Sequence, residues 1–159
     1  MENSYLEIIN RKKQMEVANI KKCNEFTGDY GLLLSEKQIE SLIEKRMDIL
    51  KNTGRVEFRN GIIDKIIKEF CDSPYINQEN YVLTLYDLLD IFYEYKNETM
   101  DLVTDDELIK FMKKAFNGVC KGDIEYLSGT VMYKMKQRIL NGELIDYIEI
   151  GEDHEWTWN

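Results

Sequence analysis

Proline is nearly missing from this chain: Pro74 is the only one in 159 residues, and glycine contributes only 9. Few positions can therefore interrupt a helix. Histidine is scarcer still than catalysis by a Ser-His or Cys-His pair requires, because His154 is the only one and lies close to the C-terminus. No GxSxG, P-loop or GxGxxG spacing occurs, so the phosphate-cradling and nucleophile-elbow chemistries lack their scaffolds. Cysteine is limited to Cys23, Cys71 and Cys120, spread about fifty positions apart, which excludes a disulfide framework. The same three with His154 are the ligand types of a Cys3His zinc centre, but without the close ligand pairs such a centre uses. We therefore expect reduced, structural thiols, no metal and no cofactor.

Positive charge is also in short supply, with 21 Lys and Arg against 30 Asp and Glu and a formal net charge of -9. That is the wrong sign for a protein that grips phosphate backbones, so direct nucleic-acid binding is not expected. No apolar run approaches the ~20 residues that span a bilayer, and the start MENSYLEIINRKKQ lacks the apolar core of a signal peptide. These features predict a cytoplasmic protein with no membrane partner.

What the chain does have is apolar residues at helical spacing, 43% of the sequence being hydrophobic. The expectation is an all-α fold: one compact bundle of five or six helices over residues 1–159, with 151–159 as an acidic, aromatic tail. Ser4 with Glu7, Ser35 with Gln38, and Thr104 with Glu107 each make a capping-box pattern at a helix start. Ile8, Met15, Val17 and Ile20 mark a loose stripe in the first helix. Ile39, Leu42, Ile43, Met47 and Leu50 form the apolar face of the second, which Gly54 should stop. Ile62, Ile63, Ile66, Ile67 and Phe70 predict a helix ending before Asp72-Ser73-Pro74. The stretch from Gln78 to Lys96 is apolar at nearly every third or fourth residue and is the expected central helix. Leu108, Met112, Ala115 and Phe116 then face inward, and a last helix runs from Asp123 to Asn141-Gly142 despite Gly129 within it.

Two segments suggest other structure. RVEF alternates Arg55, Glu57 and Arg59 with Val56 and Phe58, and YIEI at 147–150 alternates weakly, so the two could pair as a small two-stranded appendage. NETMDLVTDDEL has oxygen-bearing side chains at alternate positions like a calcium loop. Leu102 stands where that loop needs glycine and Leu108 where it needs glutamate, so a capped connection between helices is expected instead.

Two features point to an interaction surface. The row Arg55, Glu57, Arg59 would project from one side of a strand and could accept a partner's carboxylate. Trp156 and Trp158 sit among acids in a segment, 143–159, that has six acidic residues and no Lys or Arg. Exposed tryptophan suits an anchor buried on binding. Residues Arg55, Arg59, Trp156 and Trp158 are therefore the candidate partner-binding residues, with no catalytic set.

The strings CNEFTGDYGLLLSEKQ, GRVEFRNGIIDKIIKEFCDSPYI, LYDLLDIFYEYKNET and VTDDELIKFMKKAFNGVCKGDIEYLSGT, in that order from about Cys23 to Thr130, resemble a family of small uncharacterised proteins of Firmicute bacteria, a domain of unknown function. The resemblance implies a cytosolic bacterial protein, often encoded beside a second, larger uncharacterised protein, with no catalytic residue assigned. Composition and motifs together favour a non-enzymatic helical module that binds another protein. The second expectation is an acidic decoy or inhibitor of a nucleic-acid-binding protein, and the third is a carboxylate- or metal-dependent enzyme.

Overall fold

Helical periodicity becomes eight α-helical segments in the computed structural model, which describes residues 2–57 and 61–150. These are α1 (Glu2–Lys22), α2 (Asn24–Thr27), α3 (Glu36–Thr53), α4 (Ile62–Phe70), α5 (Tyr81–Glu98), α6 (Asp105–Asn117), α7 (Ile124–Tyr126) and α8 (Met132–Leu140). The fold is all-α.

Local chemistry sets most of the boundaries. Two of the three expected capping boxes form: Ser35 accepts from the Gln38 N–H at 3.2 Å, and Thr104 from the Glu107 N–H at 3.2 Å, while each partner side chain returns a bond to the cap. Asp105, Asp106 and Glu107 add negative charge at the positive end of the α6 dipole. Gly54 ends α3 at φ 66°, a left-handed turn that costs glycine nothing sterically. Asp123 caps α7 by accepting from the Tyr126 N–H at 3.0 Å. Leu127–Val131 then widens into a π turn around Gly129 before α8, and the Tyr95 hydroxyl donates to the Ser128 carbonyl there.

Helix α5 is central, as the sequence predicts. Tyr81, Leu85, Leu88, Leu89, Ile91, Phe92, Tyr93 and Tyr95 are buried around its circumference, and α3, α4, α6 and α8 pack against it. Helix α4 buries Ile62, Ile63, Ile66, Ile67 and Phe70, each contributing about 1.5–3 kcal/mol of transfer free energy. Phe70 meets Phe116 of α6 edge to face, with ring centroids 5.6 Å apart. Cys23, Cys71 and Cys120 are buried thiols within this apolar cluster.

Three expectations are corrected. Helix α1 starts at Glu2, so Ser4 lies inside it rather than capping it. On α3 the buried row is Ile39, Leu42, Ile43 and Arg46, while Met47 is 53% exposed: the inward position belongs to an arginine. Among the described residues there is no strand. Residues 55–57 are extended but unpaired, and Ile145–Tyr147 is a 3-10 turn that packs on α6, so the proposed β appendage does not form there. Phe58, Arg59 and the 151–159 segment, with Trp156 and Trp158, lie outside the described residues.

Candidate functional site

Arg46 shows how the charged residues are organised. Its Nε donates to the Tyr93 hydroxyl at 3.1 Å and its Nη2 to Glu57 Oε1 at 2.9 Å, while Tyr93 donates to the same Glu57 oxygen at 2.6 Å. On its other side Nη1 lies 3.6 Å from Glu16 of α1. From Glu57 the chain of charge continues to Arg55, whose Nε is 3.9 Å from Glu57 Oε2 and whose guanidinium forks onto both oxygens of Asp101. Arg55 also donates to Asn97 at 2.8 Å. Lys96 lies 3.6 Å from Asp101 and 2.9 Å from Asp105, and donates to the Val103 carbonyl at 2.8 Å. Glu16, Arg46, Glu57, Arg55, Asp101, Lys96 and Asp105 thus alternate in sign along a row that ties α1 to α3, α5 and the start of α6.

Burial decides which of these contacts matter. The Arg46 side chain is 7% exposed and its partners Glu16 and Glu57 are nearly as buried, so removing the arginine would leave them charged in a poorly hydrated place, at a cost of about 3–5 kcal/mol, whereas Lys96, equally buried, faces the half-exposed Asp101. Burial holds the Glu16 carboxyl above its ordinary range, with Arg46 opposing and Asp64 reinforcing the shift. Burial and the hydrogen bond to Glu57 push the Tyr93 phenol up. At the open end, hydrogen bonds from Arg55 hold Asp101 below the usual carboxylate range. Each carboxylate in the row faces a cation of this chain, so its chemistry is that of positioning. Met100 and Asp101 take left-handed backbone angles, φ 54° and 58°, as the turn presents Asp101 to Arg55.

Glu16 also marks a boundary along α1. C-terminal to it, Val17 and Ile20 are buried against the body. N-terminal to it, Lys13 reaches Glu44 at 3.9 Å across an exposed gap, a contact worth at most about 1 kcal/mol. Every residue from Ser4 to Lys12 is exposed. Leu6 and Ile9 lie on the same helical stripe as Lys13, Val17 and Ile20, with Tyr5 and Ile8 beside them. These four are 67% (Tyr5), 56% (Leu6), 55% (Ile8) and 40% (Ile9) exposed. The result is two turns of amphipathic helix with an apolar face that none of the described residues covers, followed by Arg11, Lys12 and Lys13.

Of the residues singled out from sequence, Arg55 is placed beside Asp101 and Glu57 of its own chain, and Arg59, Trp156 and Trp158 fall outside the described residues. Sequence reasoning missed Glu16, Arg46, Tyr93 and the α1 face. Arg46 was detectable, because it falls on the 3.6-residue stripe of Ile39, Leu42 and Ile43.

Two surface clefts flank the network's far end. One, of about 330 Å³, is lined by Lys65, Lys96, Asp101, Thr104 and Asp106. The other, also about 330 Å³, lies between α6 and the C-terminal turn, with Asp106, Lys110, Phe111, Lys114, Ile145 and Ile148 in its wall. Among the described residues no group of three His, Cys, Asp or Glu is placed to hold a metal ion, and no helix is long and apolar enough to cross a membrane.

Among curated proteins and among solved structures, nothing matches this chain. A family model does match, over residues 19–144, which takes in the docked end of α1 and everything to the last turn, but neither the exposed half of α1 nor the tail. By that match the chain belongs to the family described as Family of unknown function (DUF6323).

Proposed function

We propose that this protein is a non-enzymatic, cytoplasmic interaction module that binds another protein through the exposed half of α1. The observation that carries this reading is the exposed face of Tyr5, Leu6, Ile8 and Ile9, which none of the described residues covers, on a helix whose other half is fixed to the body at Glu16 and Ile20. Apolar surface of this kind, rimmed by polar residues, is what an interface offers. Arg11 and Lys12 beside it define the chemistry of the occupant: an amphipathic helix of the partner with acidic residues flanking its apolar stripe. Burial of such a helix against two turns of α1 makes a small contact, suited to a transient complex.

A photo-crosslinking amino acid placed at position 8, with one at exposed position 37 on α3 as control, identifies the partner in the native cell. The purified partner is then titrated with the wild type and with the double variant Leu6→Asp/Ile9→Asp. The expected result is crosslinking from position 8 alone and about tenfold or more weaker binding by the double variant, since tenfold corresponds to about 1.4 kcal/mol of lost apolar contact. Equal binding by the variant would remove α1 from the interface and end this reading.

A further inference from the structure

Two apolar surfaces of this chain carry opposite charge. One is the first half of α1, where Leu6 and Ile9 are exposed and Arg11 and Lys12, also exposed, follow within a turn of Ile9. The other is a cleft of about 190 Å³ between the connection from α5 to α6 and the turn after α8. Buried Ile139 and Ile145 line it together with Leu102 and Leu144, which stand 61% and 66% exposed. Glu107 and Glu143 are the only charged residues of its described lining.

Face and cleft match in both shape and charge. A space of this size takes an aliphatic side chain such as that of Leu6 or Ile9, and filling it also removes Leu102 and Leu144 from water. The cations of α1 would then meet the two carboxylates, a complementarity that fixes orientation and speeds encounter. Within one molecule the two surfaces do not meet, because every residue from Ser4 to Lys12 is exposed. The contact therefore takes two copies of the chain.

We propose that the chain self-associates head to tail, Leu6 and Ile9 of one copy seated in the cleft between Leu102 and Leu144 of the next, with Arg11 and Lys12 against Glu107 and Glu143. This rests on the reading of α1 as a docking face and gives that face a second occupant, so that the partner protein and another copy compete for it. The contact is heterologous, since each copy offers a different surface to each neighbour. It is also small, two helical turns on one cleft, which places the association at high micromolar concentration. Salt weakens it, because opposite charges at a surface are screened.

Sedimentation velocity of the full chain from about 10 μM to about 1 mM reads this association. The expected result is an average mass that rises with concentration in the wild type and an association about tenfold or more weaker in both Leu6→Asp/Ile9→Asp and Leu102→Asp/Leu144→Asp, each checked for helix content by circular dichroism. Mixing the two variants isolates the contact: the first keeps the cleft and the second keeps the α1 face, so the mixture should recover association and stop at a dimer. Arg11→Glu/Lys12→Glu, which alters exposed positions only, should weaken association several-fold, and Glu143→Lys in the same chain should restore it. A wild type that stays one chain at every concentration would overturn the proposal. So would association lost in Leu6→Asp/Ile9→Asp but kept in Leu102→Asp/Leu144→Asp, the mark of α1 docking elsewhere on the second copy. A monomeric wild type, with Leu6→Asp/Ile9→Asp still impaired in binding the purified partner, would remove the second copy and leave the partner surface intact. Self-association as expected, with partner binding unaltered by that variant, would remove the partner reading alone.

Discussion

The two halves of α1 have similar apolar content and opposite fates. Val17 and Ile20 are buried against the body, whereas Tyr5, Leu6, Ile8 and Ile9, on the same and the adjoining stripe, face outward. Intrinsic propensity does not separate them, and neither does periodicity. The difference is how much each half buries: α2, α3 and α4 pack on α1, and Val17 and Ile20 are buried, whereas every residue from Ser4 to Lys12 is exposed. The change comes at Glu16, where the Arg46 ion pair is the last buried contact along the helix. A hydrophobic stripe therefore states what a helix can bury, and tertiary structure decides how much of that is spent internally.

The sharpest way to break this comparison is to remove the boundary itself. Arg46→Ala strips the common partner from Glu16, Glu57 and Tyr93, and should destabilise the protein by about 3–5 kcal/mol in denaturant titration, through charges left buried without a counterion. A loss below ~1 kcal/mol would show that water or rearrangement replaces the arginine easily.

Ile20→Ala follows. It leaves a cavity under the docked half and should cost about 2–4 kcal/mol by the same measurement. Its counterpart, Ile9→Ala, should cost less than about 0.5 kcal/mol, as expected of a substitution far from packed neighbours. Equal losses from the two would mean that both halves are packed alike.

Acidity probes the boundary with a smaller effect. Because the Glu16 pKa is raised in the folded protein, its favourable contribution is fully present below the ordinary glutamate value of about 4.5 and is lost as pH rises through the raised one. The Asp101 pKa is lowered, so its contribution is present above the ordinary aspartate range and lost as pH falls through the depressed value. Stability measured from pH ~5 to ~7 should therefore decline less steeply in Glu16→Gln than in the wild type, while Asp64, Asp87 and Glu94, whose pKa values are also raised by burial, keep their share of the slope. An unchanged slope would show that Glu16 does not titrate differently on folding.

The helices themselves were legible because their signals are local. Ser35 with Gln38, Thr104 with Glu107 and the stop at Gly54 each satisfy backbone groups within a turn of themselves, and all three act as read. The candidate site was less legible because its contacts are distant in sequence. Arg55 alternates with Val56 and Glu57 as in a strand, yet Val56 is 72% exposed, and the two charged side chains are engaged by Asp101 and by Arg46 with Tyr93. Nothing within a few residues of Glu57 announces a tyrosine 36 positions away. Of the exposed face of α1 only Ile8 was read, in a stripe with Met15, Val17 and Ile20, and a stripe alone does not say which of its turns will find a partner.

The most direct test places the same lesion in each half of one helix: Leu6→Asp/Ile9→Asp against Val17→Asp/Ile20→Asp, compared by chemical denaturation and circular dichroism. The free-half variant should keep its helical spectrum and lose less than about 1 kcal/mol, while the docked-half variant, with carboxylates forced into an apolar site, should fail to hold its fold. Comparable loss of structure in both would contradict the division of α1 at Glu16, and with it the assignment of its first turns to binding.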